Sequence, residues 1–208
     1  MQTNGLVYFP VTLESMAYDA EATRQRILAA ATEEFAERGI AGARVDRIAA
    51  KAKANKQAIY AYFGNKEALF SRVLQQVMGE LAATAPVDAA DLGGYAARLY
   101  DYHRAHPEFL RLLLWEALEY GDREVPDEAA RTTHYEQKAG AMAKAQEAGL
   151  IDEEIDPSVL MLFVIGLVNW GRAVPQVRRM LGADLPPEQA RKQIATAVAR
   201  LAHPTGRK

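Results

Sequence analysis

The chain has 208 residues and no cysteine. That removes disulfides, thiol nucleophiles and thiolate-bound zinc, and it fits a reducing cytoplasm. It also lacks a long apolar run. The longest, "VLMLFVIGLV" at 159–168, is half of the roughly 20 residues a membrane span needs. It reads as a buried helix, and no membrane partner is expected. Charge of one sign does not dominate: 25 Lys and Arg face 27 Asp and Glu, for a net charge of -2. Sustained strand alternation is missing as well. So are a glycine-rich phosphate loop, a Gly-x-Ser-x-Gly elbow and a His-Glu-x-x-His pair. No catalytic residue and no cofactor is therefore assigned. His103 and His106 are three apart, but Glu108 is their only nearby third ligand and Pro107 interrupts, so no metal site is assigned. The opening "MQTNGLVYFPVTLESMAYDAE" has neither the basic start nor the apolar core of a signal peptide. Residues 1–18 read as a flexible tail, and a translation start at Met16 stands beside that reading.

What is present is helical periodicity. From Asp19, a suitable N-cap, Ile27, Leu28, Ala31 and Phe35 share one face until Gly39 stops the helix. A short helix over 45–52 turns Ile48 and Ala49 inward. Asn55 caps a second short helix over 56–63, with Ile59 and Phe63 inward, and Asn65 caps the next. Pro86 and the pair Gly93–Gly94 mark a boundary. Beyond it lie helices near 95–105, from Pro107, up to Gly149, from Pro157 to about Leu181 (Asp156 capping) and from Pro187 to Leu201. The reading gives an all-α chain of nine helices.

The stretch "RVDRIAAKAKANKQAIYAYFGNKEALF" concentrates charge. Arg44, Arg47, Lys51, Lys53, Lys56 and Lys66 accompany a single acid, Asp46. Two short helices joined by a tight turn, with a local excess of +5, predict a helix-turn-helix that meets DNA phosphates. Tyr60 and Tyr62 fall off the core side of their helix, where a hydroxyl can reach a phosphate and a ring a thymine methyl. Lys56 and Gln57 occupy its first turn and point toward base edges.

This stretch resembles the N-terminal DNA-binding signature of the TetR family of transcriptional repressors. The likeness rests on Val45, Ile48-Ala49, Ile59-Tyr60, Phe63 and Asn65-Lys66-Glu67 with Leu69, after a first helix carrying Phe35, Arg38 and Gly39. Three positions depart from the usual pattern. Lys53 stands where glycine is common, at a cost of about 1 kcal/mol if left-handed. Arg44 replaces a capping hydroxyl residue, and Asp46 holds a surface position where relatives carry a basic or polar contact. The resemblance implies a three-helix DNA-binding domain over 19–65 and a helical ligand-binding and dimerisation domain over 66–208. It also implies a cytoplasmic homodimer on a near-palindromic double-stranded DNA operator, released by a small-molecule effector. Arg44, Asn55, Lys56, Gln57, Tyr60, Tyr62 and Lys66 are the expected DNA-binding residues.

The C-terminal half speaks less clearly. The helix from Val159 is apolar all round and must be covered all round. Its glycines, Gly166 and Gly171, and the alanines of the last helix (Ala190, Ala195, Ala197, Ala199) suit close packing across a dimer interface. In "PEFLRLLLWEALEYG" the expected apolar arc is Phe109, Leu110, Leu113, Leu114, Ala117 and Leu118, with Glu116 at its border and Trp115 opposite. Candidate ligand residues are Trp115, Glu116, Tyr120, Phe163, Asn169 and Trp170, with Glu116 as an anchor for a donor or a positive charge. Two other classes stay open at this point: a DNA-binding regulator without small-molecule control, and a helical enzyme.

Overall fold

The computed structural model describes residues 13–203, with side chains from Asp19 onward. It holds ten helices and no strand among them. Of the expected tail at 1–18, residues 1–12 lie outside the described residues and 13–18 belong instead to the first helix. The first helix, α1 (Leu13–Gly42), starts ahead of Asp19, so Asp19 does not cap it. The Asp19 carbonyl instead accepts the Thr23 hydroxyl at 2.7 Å. Gly39 does end the regular helix: its backbone (φ 69, ψ -179) lies in a region only glycine enters freely.

Helices α2 (Val45–Ala52) and α3 (Lys56–Phe63) follow, then α4 (Lys66–Thr84). The turn between α2 and α3 runs through Lys53 in the left-handed conformation (φ 52, ψ 41). Both expected asparagine caps form. Asn55 accepts from the Ala58 amide at 2.6 Å and Asn65 from the Ala68 amide at 2.7 Å. Ile27, Phe35, Ile48, Ile59 and Phe70 fill the centre of this unit. The Phe35 and Phe70 rings meet edge to face at 5.1 Å.

Beyond it come α5 (Leu92–Ala105), α6 (Pro107–Tyr120), α7 (Glu128–Glu147), α8 (Pro157–Ala173), α9 (Pro175–Met180) and α10 (Pro187–Leu201). Gly93 and Gly94 lie inside α5, which Asp91 caps, and not in the linker the sequence suggested. The reason is packing. A Cβ on Gly93 would sit 3.0 Å from the Ala195 carbonyl oxygen and 3.1 Å from the Ala199 Cβ, so glycine admits α10 against α5. Those two alanines thus serve packing within one chain. The tenth helix arises because Pro175 splits the expected 157–181 helix. Proline supplies no N–H and drives Val174 out of helical geometry (φ -126, ψ 66).

Helix α6 runs through the middle, packed on α1 along one side and on α4, α5 and α8 along others. Its buried positions are Phe109, Leu110, Leu112 and Glu116, whereas Leu114 and Leu118 are exposed. The expected apolar arc was therefore misplaced, because α1 covers the side that bears Trp115 and Arg111. Helix α8 buries Leu160, Met161, Val164 and Val168. Its other side leaves Val159, Leu162, Phe163, Leu167 and Trp170 exposed in the single chain.

Candidate DNA interface and effector cavity

The six basic residues of the helix-turn-helix stretch do not act alike. Arg47 donates from Nε to Glu34 Oε1 at 2.8 Å and from its terminal nitrogen to the Gly42 carbonyl at 2.9 Å. Glu34 also accepts the Arg44 backbone amide at 3.0 Å. Arg44 occupies the N-cap of α2 without a capping side chain, so a carboxylate from α1 takes over that function. Burial would raise the Glu34 carboxyl, but the Arg47 hydrogen bond and the Arg44 amide outweigh it and hold it below the usual range. Lys51 pairs with Glu33, and Lys56 pairs with Asp46. Asp46 is thus a partner of the recognition helix's own lysine.

Arg47 and Lys51 consequently belong to the α1–α2 junction. Lys53, Gln57 and Tyr60 stand exposed on one side of the turn and α3, with Lys56 beside them. The Arg44 side chain, Lys53 and Lys66 form no ion pair among the described residues. Lys53 was counted among the six basic residues expected to meet phosphate, though not among the individually named contacts, and it is exposed at its left-handed turn. Asn55 is engaged in capping α3. Tyr62 is half-buried against the core, next to Phe63, with the Arg24 guanidinium 5.2 Å from its ring centroid.

The six expected ligand residues are not brought together. Glu116 lines a cavity of about 210 Å³ between α4, α6 and α7. Its walls include Leu74, Met78, Ala82, Pro126 and Ala130, with Ser71, Asp127, Arg131 and His134 as polar groups. Glu116 is buried and accepts from Arg131 at 2.7 Å. Burial alone would depress the Arg131 guanidinium, but the Glu116 hydrogen bond and charge raise it above its ordinary value. Burial, and then Lys138, push His134 down. Ser71 donates to Asp127, whose backbone is left-handed (φ 58). An adjoining recess, sharing Ser71, Pro126 and Asp127, extends to Arg24 and Tyr62 near the DNA unit. None of these polar partners could be read from the sequence, because Ser71 and Asp127 are 56 residues apart.

Trp115 faces α1 and not the cavity. Its indole donates to the Ala36 carbonyl at 3.2 Å, and Arg111 donates to the same oxygen at 2.6 Å. A Cβ on Gly39 would lie 2.7 Å from the Trp115 ring. Tyr120 is half-buried at the end of α6. Phe163 and Trp170 belong to the exposed side of α8, and the Asn169 amide oxygen is buried without a partner.

Comparison with known proteins agrees with this layout. Residues 27–73 match the family model described as bacterial regulatory proteins, tetR family. Residues 91–200 match the tetracyclin repressor-like C-terminal domain. The chain is 50% identical over 187 residues to the HTH-type transcriptional repressor SCO4008 of Streptomyces coelicolor, covering 89% of this chain and 97% of that protein. It is 31% identical over 198 residues to the HTH-type transcriptional repressor NicS of Pseudomonas putida, covering 89% and 93%. The crystal structure of the putative transcriptional regulator SCO4942 from Streptomyces coelicolor superposes with a TM-score of 0.76 at 36% identity, covering 86% of this chain and 98% of that one. No helix among the described residues is long and apolar enough to cross a membrane. With a helix-turn-helix unit and an all-helical C-terminal part each matched in register, the chain belongs to the TetR family of bacterial transcriptional regulators.

Proposed function

We propose that the chain represses transcription as a homodimer on a near-palindromic operator, and that a small molecule in the Glu116 cavity releases it. One observation carries the reading: α6 holds the cavity and the DNA unit at once. Glu116 faces the cavity, while its neighbours Trp115 and Arg111 grip the Ala36 carbonyl of α1. Helix α4 lines the same cavity with Leu74 and Met78 and begins at Asn65–Lys66, beside the recognition helix. A ligand that moves α4 or α6 shifts the two DNA units away from the roughly 34–36 Å spacing that successive major grooves demand. Coupling is reciprocal, so operator DNA weakens the ligand by the same factor. The exposed apolar side of α8, with open space around Gly166, supports the dimer.

Gln57, with Tyr60 and Lys56, faces base edges, and Lys53, Arg44 and Lys66 contact phosphate in this reading. The Lys56–Asp46 pair is exposed, so breaking it on DNA costs roughly 0–1 kcal/mol. Because Arg131 already neutralises Glu116, the cavity does not require a cation. The effector is a compact, mainly apolar, uncharged molecule that donates a hydrogen bond to Glu116.

Operator affinity measured by fluorescence anisotropy across a salt series tests the DNA side. Gln57→Ala loses about 1–3 kcal/mol on the cognate operator and much less on scrambled DNA. Lys66→Ala weakens both equally and lowers the salt slope by about one phosphate's worth. Unchanged affinity in both variants would remove this surface from DNA binding. For the effector side, a compound that releases wild-type protein should fail on Glu116→Gln while DNA binding persists.

A further inference from the structure

A second crevice lies between α5, α8, α9 and α10, away from the Glu116 cavity. Its volume is about 230 Å³. Leu167, Val168, Leu185 and Ile194 make its apolar wall, and Arg172 and Arg178 enter it. Arg172 is half-buried and forms no hydrogen bond or ion pair among the described residues. Its guanidinium lies 5.9 Å from the Tyr100 ring centroid, a cation–π contact. Arg178 donates to Asp184 at 2.7 Å, and its stem passes beside Gly171 of α8.

The charges around Arg172 are unbalanced. Burial lowers its pKa first, and Arg178 and Arg104 lower it further as like charges, with only the Tyr100 phenol opposing them. Two guanidinium groups thus enter one crevice: Asp184 holds Arg178, whereas Arg172 has no acid partner among the described residues. A partly desolvated cation without an acid partner is unfavourable unless an anion completes the set. A guanidinium fork matches a carboxylate with two parallel hydrogen bonds.

We propose that this crevice is a second ligand site for a small organic carboxylate. Its anionic end seats on Arg172, and its apolar body lies against Leu167, Val168 and Ile194. The volume is below the roughly 300–1,000 Å³ of drug-sized pockets, so the body is about one ring. The Asp184 carboxylate, held beside Arg178, disfavours a dianion. The site is built from elements other than the Glu116 cavity, and Leu167 at its mouth also belongs to the α8 side assigned above to the dimer.

Titration calorimetry on the full chain with benzoate, its neutral analogue benzamide and inorganic phosphate is the test. Benzoate should bind one site per chain at least about tenfold more tightly than benzamide or phosphate, the gain expected of a charge-assisted hydrogen bond on an apolar wall. Arg172→Gln should weaken benzoate at least about tenfold, Arg172→Lys less, and Glu116→Gln not at all. The far-UV spectra of all three variants should match the wild type, because Arg172→Gln relieves repulsion. Benzamide binding as tightly as benzoate overturns the proposal. So does loss of benzoate binding in Glu116→Gln with none in either Arg172 variant, or phosphate binding as tightly as benzoate.

Discussion

Replacing Gly39 by alanine probes the joint between the DNA-binding unit and the rest of the molecule. Two costs are built into that position. The backbone at φ 69 and ψ -179 is strained for any side chain, by about 1–3 kcal/mol. The new Cβ would also meet Trp115 Cε3 at 2.7 Å and Cδ2 at 2.8 Å. That ring cannot slide freely, since its Nε1 is tied to the Ala36 carbonyl at 3.2 Å. Forcing it aside adds about 1–3 kcal/mol. The sum, about 2–6 kcal/mol, is a large part of the 5–15 kcal/mol typical of a folded domain. Urea unfolding followed by circular dichroism measures it. A second background separates the two terms. In Trp115→Ala the steric term disappears, so Gly39→Ala should cost about 1–3 kcal/mol less there than in the wild type. Stability within about 0.5 kcal/mol of wild type for Gly39→Ala would refute the reasoning, and equal costs in both backgrounds would refute the ring contact.

Glu34→Gln should destabilise by about 1–3 kcal/mol in urea unfolding, because it weakens the carboxylate that accepts the N-cap amide of α2 and the Arg47 guanidinium. A loss of less than a few tenths would show that water replaces the carboxylate. His103 is buried with its Nδ1 unpartnered, and burial first, then Arg172 and His106, push its pKa down to about 4 from 6.5. Its folded value lies below the unfolded one, so its contribution is complete above pH 6.5 and is lost as pH falls toward 4, reaching about 3 kcal/mol. His103→Asn should flatten the stability profile between those limits, and an unchanged slope would argue against a neutral buried imidazole. Gly93→Ala should destabilise by about 1–3 kcal/mol through overpacking of α5 on α10, read as a lower urea midpoint. Gly166→Leu, with open space around it in the single chain, should leave the fold intact but shift sedimentation toward monomer at micromolar concentration.

Local signals decided which parts of this chain were legible. The asparagine caps of α3 and α4, the Asp156 cap and the stop at Gly39 need only a few consecutive residues, and each stands where the sequence placed it. Gly93 misled because its reason is a neighbour about 100 residues away, the α10 backbone at Ala195. The apolar arc of α6 misled for a similar reason. A helix covered on several sides has no single stripe, and the partner of the buried Glu116, Arg131, comes from α7.

The sequence by itself determined the all-helical class, the order of nearly all the helices and the family, since periodicity, capping and the Arg44–Phe70 signature are all local. It also singled out the first turn of α3 as the expected reading edge. Only the tertiary structure decided how each charge is used. Arg47 and Lys51 carry the same charge as Lys53 and Lys66, but Glu34 and Glu33 hold the first two, while the second two form no ion pair among the described residues. Trp115 and Glu116 are adjacent in the chain, but one closes on α1 and the other on a cavity. A pairing energy depends on distance and desolvation, and both are set by elements far apart along the chain.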